Sequence, residues 1–297
     1  MAKRKAPTIA QANIMFFITA VVTLAGSVFF QPRLGIGTNL WINEFVYILF
    51  PPLLMAWING WPIENVYRFR KISAKSKLIS ILSGFAIWPM AFTVSRITRM
   101  LLDNKIGVIE SSGSLKLSIY QSLLIMIGTV ILAPICEEIF FRGFVQRAYE
   151  SRGNKQGFVI AALLFGFYHI LNGISEVIPA CILGLCLGFL VYRTGSLASS
   201  MLFHGTANLC AVLFGGVLAV HTSETIPAWL YIVALAGLCI SVALLKSIRE
   251  EAHDPEDNEE ADRDKKTSAA GILFLVLTAV YLAAVGVFEI IGRLGIV

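Results

Sequence analysis

Residues 118–142 read SIYQSLLIMIGTVILAPICEEIFFR, an apolar run long enough to cross a bilayer that closes on two carboxylates and a guanidinium. An ionisable side chain at mid-membrane costs about 2.5 to 3.5 kcal/mol on insertion scales, so Glu137, Glu138 and Arg142 would cost roughly 8 to 10 kcal/mol if unpaired. They are therefore expected to be paired, buried against other helices and functional. On a helix Glu138 and Arg142 stand at i and i+4 with the acid N-terminal, the favourable order for an ion pair. Glu137 lies about 100° round the helix, outside that pair. One carboxylate is then structural, and its neighbour keeps its lone pairs for chemistry. The competing reading, two acids solvated at headgroup level, does not account for three charges within six residues and further polar residues on later apolar segments.

The chain of 297 residues is 57% hydrophobic and 14% charged, against about 45 to 50% and 25% in soluble proteins. This is the composition of an integral membrane protein. Runs of about 20 apolar residues suit membrane helices, and the alternating ten-residue segments of a membrane barrel are absent. The expected fold is an all-α polytopic bundle of about nine membrane helices: Ile14–Phe30, Trp41–Trp61, Leu78–Phe92, Ser118–Phe141, Phe158–Leu171, Val177–Tyr192, Leu197–Val220, Pro227–Leu245 and Ala269–Ile291. Pro51 and Pro52 predict a kink in the second. The first follows a basic start but has no small-residue cleavage site, so it is expected to stay uncleaved.

The organisation follows from these runs: N-terminal membrane helices over 1–117, a core over 118–220, a further helix over 221–249, a polar stretch over 250–268 and a last helix over 269–297. Nine of the 19 acids fall between Glu250 and Asp264, and this stretch has too few apolar residues to order itself. With the N-terminus cytoplasmic and the spans alternating, 18 of the 24 Lys and Arg fall on the cytoplasmic side. That bias follows the positive-inside rule and reads as a topology signal rather than a nucleic-acid footprint, so the bilayer and no nucleic acid is the expected partner. A bacterial inner membrane is favoured over the ER. The five cysteines lie in apolar segments and read as small buried hydrophobes.

Two more polar points fall inside apolar runs. His169 follows Phe165 by four residues, and His204 precedes Asn208 by four, so each pair shares a helical face. Counted at 1.5 Å per residue from the cytoplasmic ends of their spans, Glu137, His204 and His169 lie about 8, 10 and 16 Å deep, which suits one polar cavity open to the cytoplasm. A carboxylate base, two imidazoles and an amide suit addition of water to an amide carbonyl: Glu137 takes the water proton with help from His169, while His204 and Asn208 donate to the oxyanion. The alternative has Glu137, His169 and His204 holding a divalent metal such as zinc, although no His-Glu-x-x-His helix occurs. A transporter with a buried charge relay and a non-catalytic immunity or scaffold protein are the readings from other classes.

Glu137-Glu138-x-x-x-Arg142, then Phe165-x-x-x-His169, then His204-x-x-x-Asn208, in that order on successive helices, resembles the CPBP (Abi) family of intramembrane proteases, which includes the type II CAAX prenyl endopeptidases (Rce1-like). The resemblance covers roughly Ser118 to Phe214. It implies a conical cavity open to the cytosol and cleavage near the C-terminus of a prenylated or other membrane-anchored substrate. It further implies that Glu137 and His169 hold the attacking water, that His204 and Asn208 form the oxyanion site, and that Glu138 and Arg142 support them. Metal dependence stays open.

Overall fold

The computed structural model describes residues 6–108, 117–248 and 268–296, and all regular structure among them is helical. Nine long helices follow in chain order: α1 (Ile9–Leu34), α2 (Ile36–Asn59), α3 (Ala74–Lys105), α4 (Ile119–Arg152), α5 (Asn154–Tyr168), α6 (Ile174–Thr194), α7 (Leu197–His221), α8 (Ala228–Lys246) and α9 (Ala269–Arg293). Eight of them are long and apolar enough to cross a membrane; α5, with 15 residues, is the exception. The protein is a multi-pass membrane bundle. Its elements match the nine expected runs, though several extend well beyond the apolar stretches, because helical pairing continues while backbone groups can be satisfied within the bundle. The acidic linker expected over 250–268 lies outside the described residues apart from Ser268, which caps α9 by accepting from the Gly271 N–H.

The two prolines of α2 do not break it. The helix widens into π turns over Asn43–Leu49, directly ahead of them, so the change of hydrogen-bond register takes the place of the expected kink. Similar π turns interrupt α4 at Gly128–Leu132 and Ile139–Gln146, and α7 at Ala211–Gly215. Close approach of α5 and α6 depends on small residues. A side chain at Gly184 would meet Ala162, and one at Gly166 would collide with Cys181. Of the cysteines, Cys136, Cys186 and Cys210 are buried as expected, whereas Cys239 faces outward.

The bundle has two distinct ends. At one, the loop after α2 meets the loop between α6 and α7 and the end of α4: the Leu197 N–H donates to the Arg68 carbonyl, and Arg68 pairs with Glu150 at 2.6 Å, both side chains buried. This end carries the basic loop 68–77 and is called the basic end below. At the far end, Gln121 accepts from the Gly37 N–H at 2.7 Å, Arg293 pairs with Asp103 at 2.6 Å, and the Ile174 N–H donates to Glu289 at 2.7 Å.

Candidate functional site

The second half of α4 carries the charges inward. Glu138 and Arg142 form the expected ion pair at 2.8 Å, with both side chains fully buried. The Arg142 guanidinium also lies 4.3 Å over the Phe165 ring and reaches the Gly184 carbonyl at 3.4 Å. The same carboxylate has a second partner that the helix spacing did not reveal. Oε1 of Glu138 stands 3.0 Å from Nδ1 of His204 on α7. A carboxylate that already accepts from arginine can only accept from the imidazole, so Nδ1 of His204 carries hydrogen and Nε2 points the other way.

Nε2 of His204 faces Glu137, whose Oε2 lies 3.8 Å away. That is too long for a hydrogen bond but within reach of one bridging water. Glu137 is 8% exposed, and its Oε2 takes no hydrogen bond from the described residues. The two adjacent glutamates thus part company as expected: Glu138 is held by Arg142 and His204, and Glu137 keeps free lone pairs.

His169 is the first residue past α5. Its Nδ1 donates to the Phe165 carbonyl at 2.8 Å, which leaves Nε2 as an acceptor. The rings of His169 and His204 both pack on Phe165, at 4.4 and 5.9 Å between centroids, so this phenylalanine is the spacer between the imidazoles. Asn208 uses one amide hydrogen on the Thr129 carbonyl at 2.9 Å, inside the first π turn of α4. His169, His204 and Asn208 line one cavity of about 320 Å³, together with Trp88 and Ser95 of α3 and Glu176 of α6. Glu137 is not part of that lining and meets it through His204, whose Nε2 it faces at 3.8 Å. No hydrogen bond or ion pair joins His169 to either glutamate among the described residues.

The metal alternative meets a geometric obstacle. Among the described residues no group of three or more His, Cys, Asp or Glu side chains stands where it could hold a metal ion. Glu137, His169 and His204 do not form the expected ligand set.

Three residues around the site escaped the sequence reading. Glu44, on the π segment of α2 that packs against Ala133–Glu138, is 3% exposed and has an oxygen without a hydrogen-bond partner among the described residues. A lone acid inside the apolar run 41–61 was the available signal. Glu176 sits at the start of α6 and Ser95 lies inside α3, and neither has a spaced partner on its own helix that marks it; the Ser95 hydroxyl donates to Glu176 at 2.8 Å.

Residues 119–210 match the family model described as type II CAAX prenyl endopeptidase Rce1-like. The chain is also 34% identical over 103 residues to UPF0177 protein YajF of Lactococcus lactis subsp. lactis (strain IL1403). That alignment takes in 35% of this chain and 41% of the relative, so the chain spans less than half of that protein. Glu137, Glu138, Arg142, His169, His204 and Asn208 all fall within the segment that is similar to this family model.

Proposed function

We propose that the protein is an intramembrane endopeptidase that adds water to a peptide bond near the C-terminus of a prenylated or other membrane-anchored substrate. The observation that supports this best is the division between the two glutamates. Glu138 is tied to Arg142 and His204, and Glu137 faces the far nitrogen of the same histidine across 3.8 Å.

In the proposed reaction the water oxygen attacks the carbonyl carbon and its proton passes to Glu137. A water about 2.8 Å from both Oε2 of Glu137 and Nε2 of His204 fits the gap between them. His204 enters the reaction already protonated on Nε2 from solvent and keeps that proton throughout, so it carries a positive charge next to the anionic Glu138 and its Nε2–H donates to the developing oxyanion. The free amide hydrogen of Asn208 is the second donor. His169 presents an acceptor nitrogen to the same cavity and holds the water or the substrate N–H. The proton then passes from Glu137 to the leaving nitrogen as the C–N bond breaks, which restores the carboxylate. No step is routed through a metal.

The test is cleavage of a panel of lipidated and unmodified membrane-anchored peptides by the protein in lipid vesicles, with and without a chelator. Cleavage by the wild type and none by Glu137→Gln or His204→Ala supports the assignment. Undiminished cleavage by either variant contradicts it. Loss of wild-type cleavage with a chelator would bring the metal reading back.

A further inference from the structure

Away from the basic end, α5 gives way at His169 to two short 3₁₀ turns, His169–Asn172 and Ile174–Glu176, the second of which opens α6. They are joined at Gly173, whose φ of 120° a side chain would strain. The break makes the Ile174 N–H one of the orphan donors of a helix start. Inside a bundle such a group needs another acceptor. It finds one 115 residues away, in Oε2 of Glu289 on α9 at 2.7 Å. A carboxylate also suits the positive end of the α6 dipole.

The Glu289 carboxylate is itself held. Its Oε1 accepts from Nε of Arg293, one helical turn on, at 2.9 Å. Arg293 in turn donates to Asp103 at 2.6 Å and to the Gly107 carbonyl at 3.1 Å, both at the end of α3. Both oxygens of Glu289 are therefore used, and its charge is offset by a buried arginine. The same turns meet α3 by a second route, the bond from Ser95 to Glu176 at 2.8 Å. Packing agrees with these contacts: a side chain at Gly286 of α9 would press on Ile170, so the helix closes directly over the first turn.

His169 is the residue these ties enclose. On its N-terminal side the Tyr168 hydroxyl shares a hydrogen bond of 2.9 Å with Thr23 of α1. On its C-terminal side the chain is fixed at Ile174 by Glu289. Between them the imidazole is oriented by the 2.8 Å bond from Nδ1 to the Phe165 carbonyl, which holds only while the backbone of His169 keeps its place over the end of α5. α9 adds no side chain to the cavity lined by His169, His204 and Asn208, and it lies outside the matched residues 119–210.

We propose that Glu289 is a positioning residue for the site: through its bond to the Ile174 N–H, α9 holds the turn that begins at His169 and so fixes where Nε2 of that histidine points. The placement of the imidazole stands on this geometry; its effect on cleavage rests on the hydrolase reading above. A shift of about 1 Å in a group that holds the attacking water costs on the order of 100-fold in rate. Contacts to the rest of the substrate are left in place, so the loss belongs in kcat and not in KM.

The experiment follows the imidazole nitrogens by NMR in the full chain, labelled with ¹⁵N at its four histidines and held in lipid nanodiscs, with His169→Gln assigning the His169 signal. The wild type is expected to show His169 as the Nδ1–H tautomer. Glu289→Ala removes the acceptor and should shift or split that signal, and should lower kcat at least about 10-fold with KM within about 3-fold. Glu289→Gln keeps an oxygen for the Ile174 N–H and should restore the signal and most of kcat. Ile174→Pro removes the donor instead, at a position where proline suits the start of a helical turn, and leaves Glu289 paired with Arg293. It should match Glu289→Ala, serves in its place if that variant does not fold, and should lose nothing further when the two are combined. An unchanged His169 signal in either folded variant overturns the proposal. So does a Glu289→Gln protein that behaves as Glu289→Ala, because the effect would then come from the charge and not from the bond. The NMR signal needs no substrate, so a protein that cleaves nothing in the peptide panel counts against the hydrolase reading and leaves the placement of His169 still decided.

Discussion

The two halves of α4 are built by opposite rules. Ile119–Ile127 buries no side chain, and Leu123, Met126 and Ile127 are 48, 44 and 40% exposed. From Leu132 to Tyr149 almost every residue is enclosed, including Glu138 and Arg142 at 0%. In water this pattern would be reversed. In hydrocarbon an exposed leucine costs nothing, and a charge survives only where protein surrounds it, so charge rather than hydropathy marks the interior of this bundle.

That contrast can be broken at several points. The largest effect is expected at Arg142→Met, which leaves Glu138 buried without its cation and should lower stability by about 3 to 5 kcal/mol in a denaturation experiment in detergent. The double variant Glu138→Gln/Arg142→Met should lose less than the sum of its single variants, because each single change leaves a partner stranded. Next comes Glu138→Gln alone, which removes the anion that orients His204. Its cleavage rate is expected to fall about 100-fold, equivalent to roughly 2.7 kcal/mol of barrier. Gly184→Val should cost about 1 to 3 kcal/mol, since α6 can no longer close on Ala162 of α5. At the lipid-facing half, Leu123→Ala should change stability by no more than about 0.5 kcal/mol. A large loss there would show that this surface is covered by a partner.

Much of this was legible because a membrane interior punishes polarity. The apolar runs announced the helices, and the i, i+4 spacing of Glu138 and Arg142 announced their pair. Spacing within one helix says nothing of partners on another, which is why the bond from His204 to Glu138, 66 residues away, could not be read. The same limit hid Thr129 as the acceptor for Asn208, since that carbonyl lies in a π turn with no sequence mark. Glu44 is a different case. Its charge inside an apolar run carried the same signal as Glu137, but as a single residue without a spaced partner it did not stand out.

The central claim is that Glu137, and not its neighbour Glu138, takes the proton from the attacking water. The most direct measurement compares wild type and Glu137→Gln in lipid vesicles, following both cleavage of the best peptide from the panel and the unfolding midpoint. Cleavage is expected to fall at least about 100-fold with the midpoint unchanged, because the Oε2 of Glu137 takes no hydrogen bond from the described protein. Cleavage that persists near the wild-type rate in a folded Glu137→Gln protein would contradict the account.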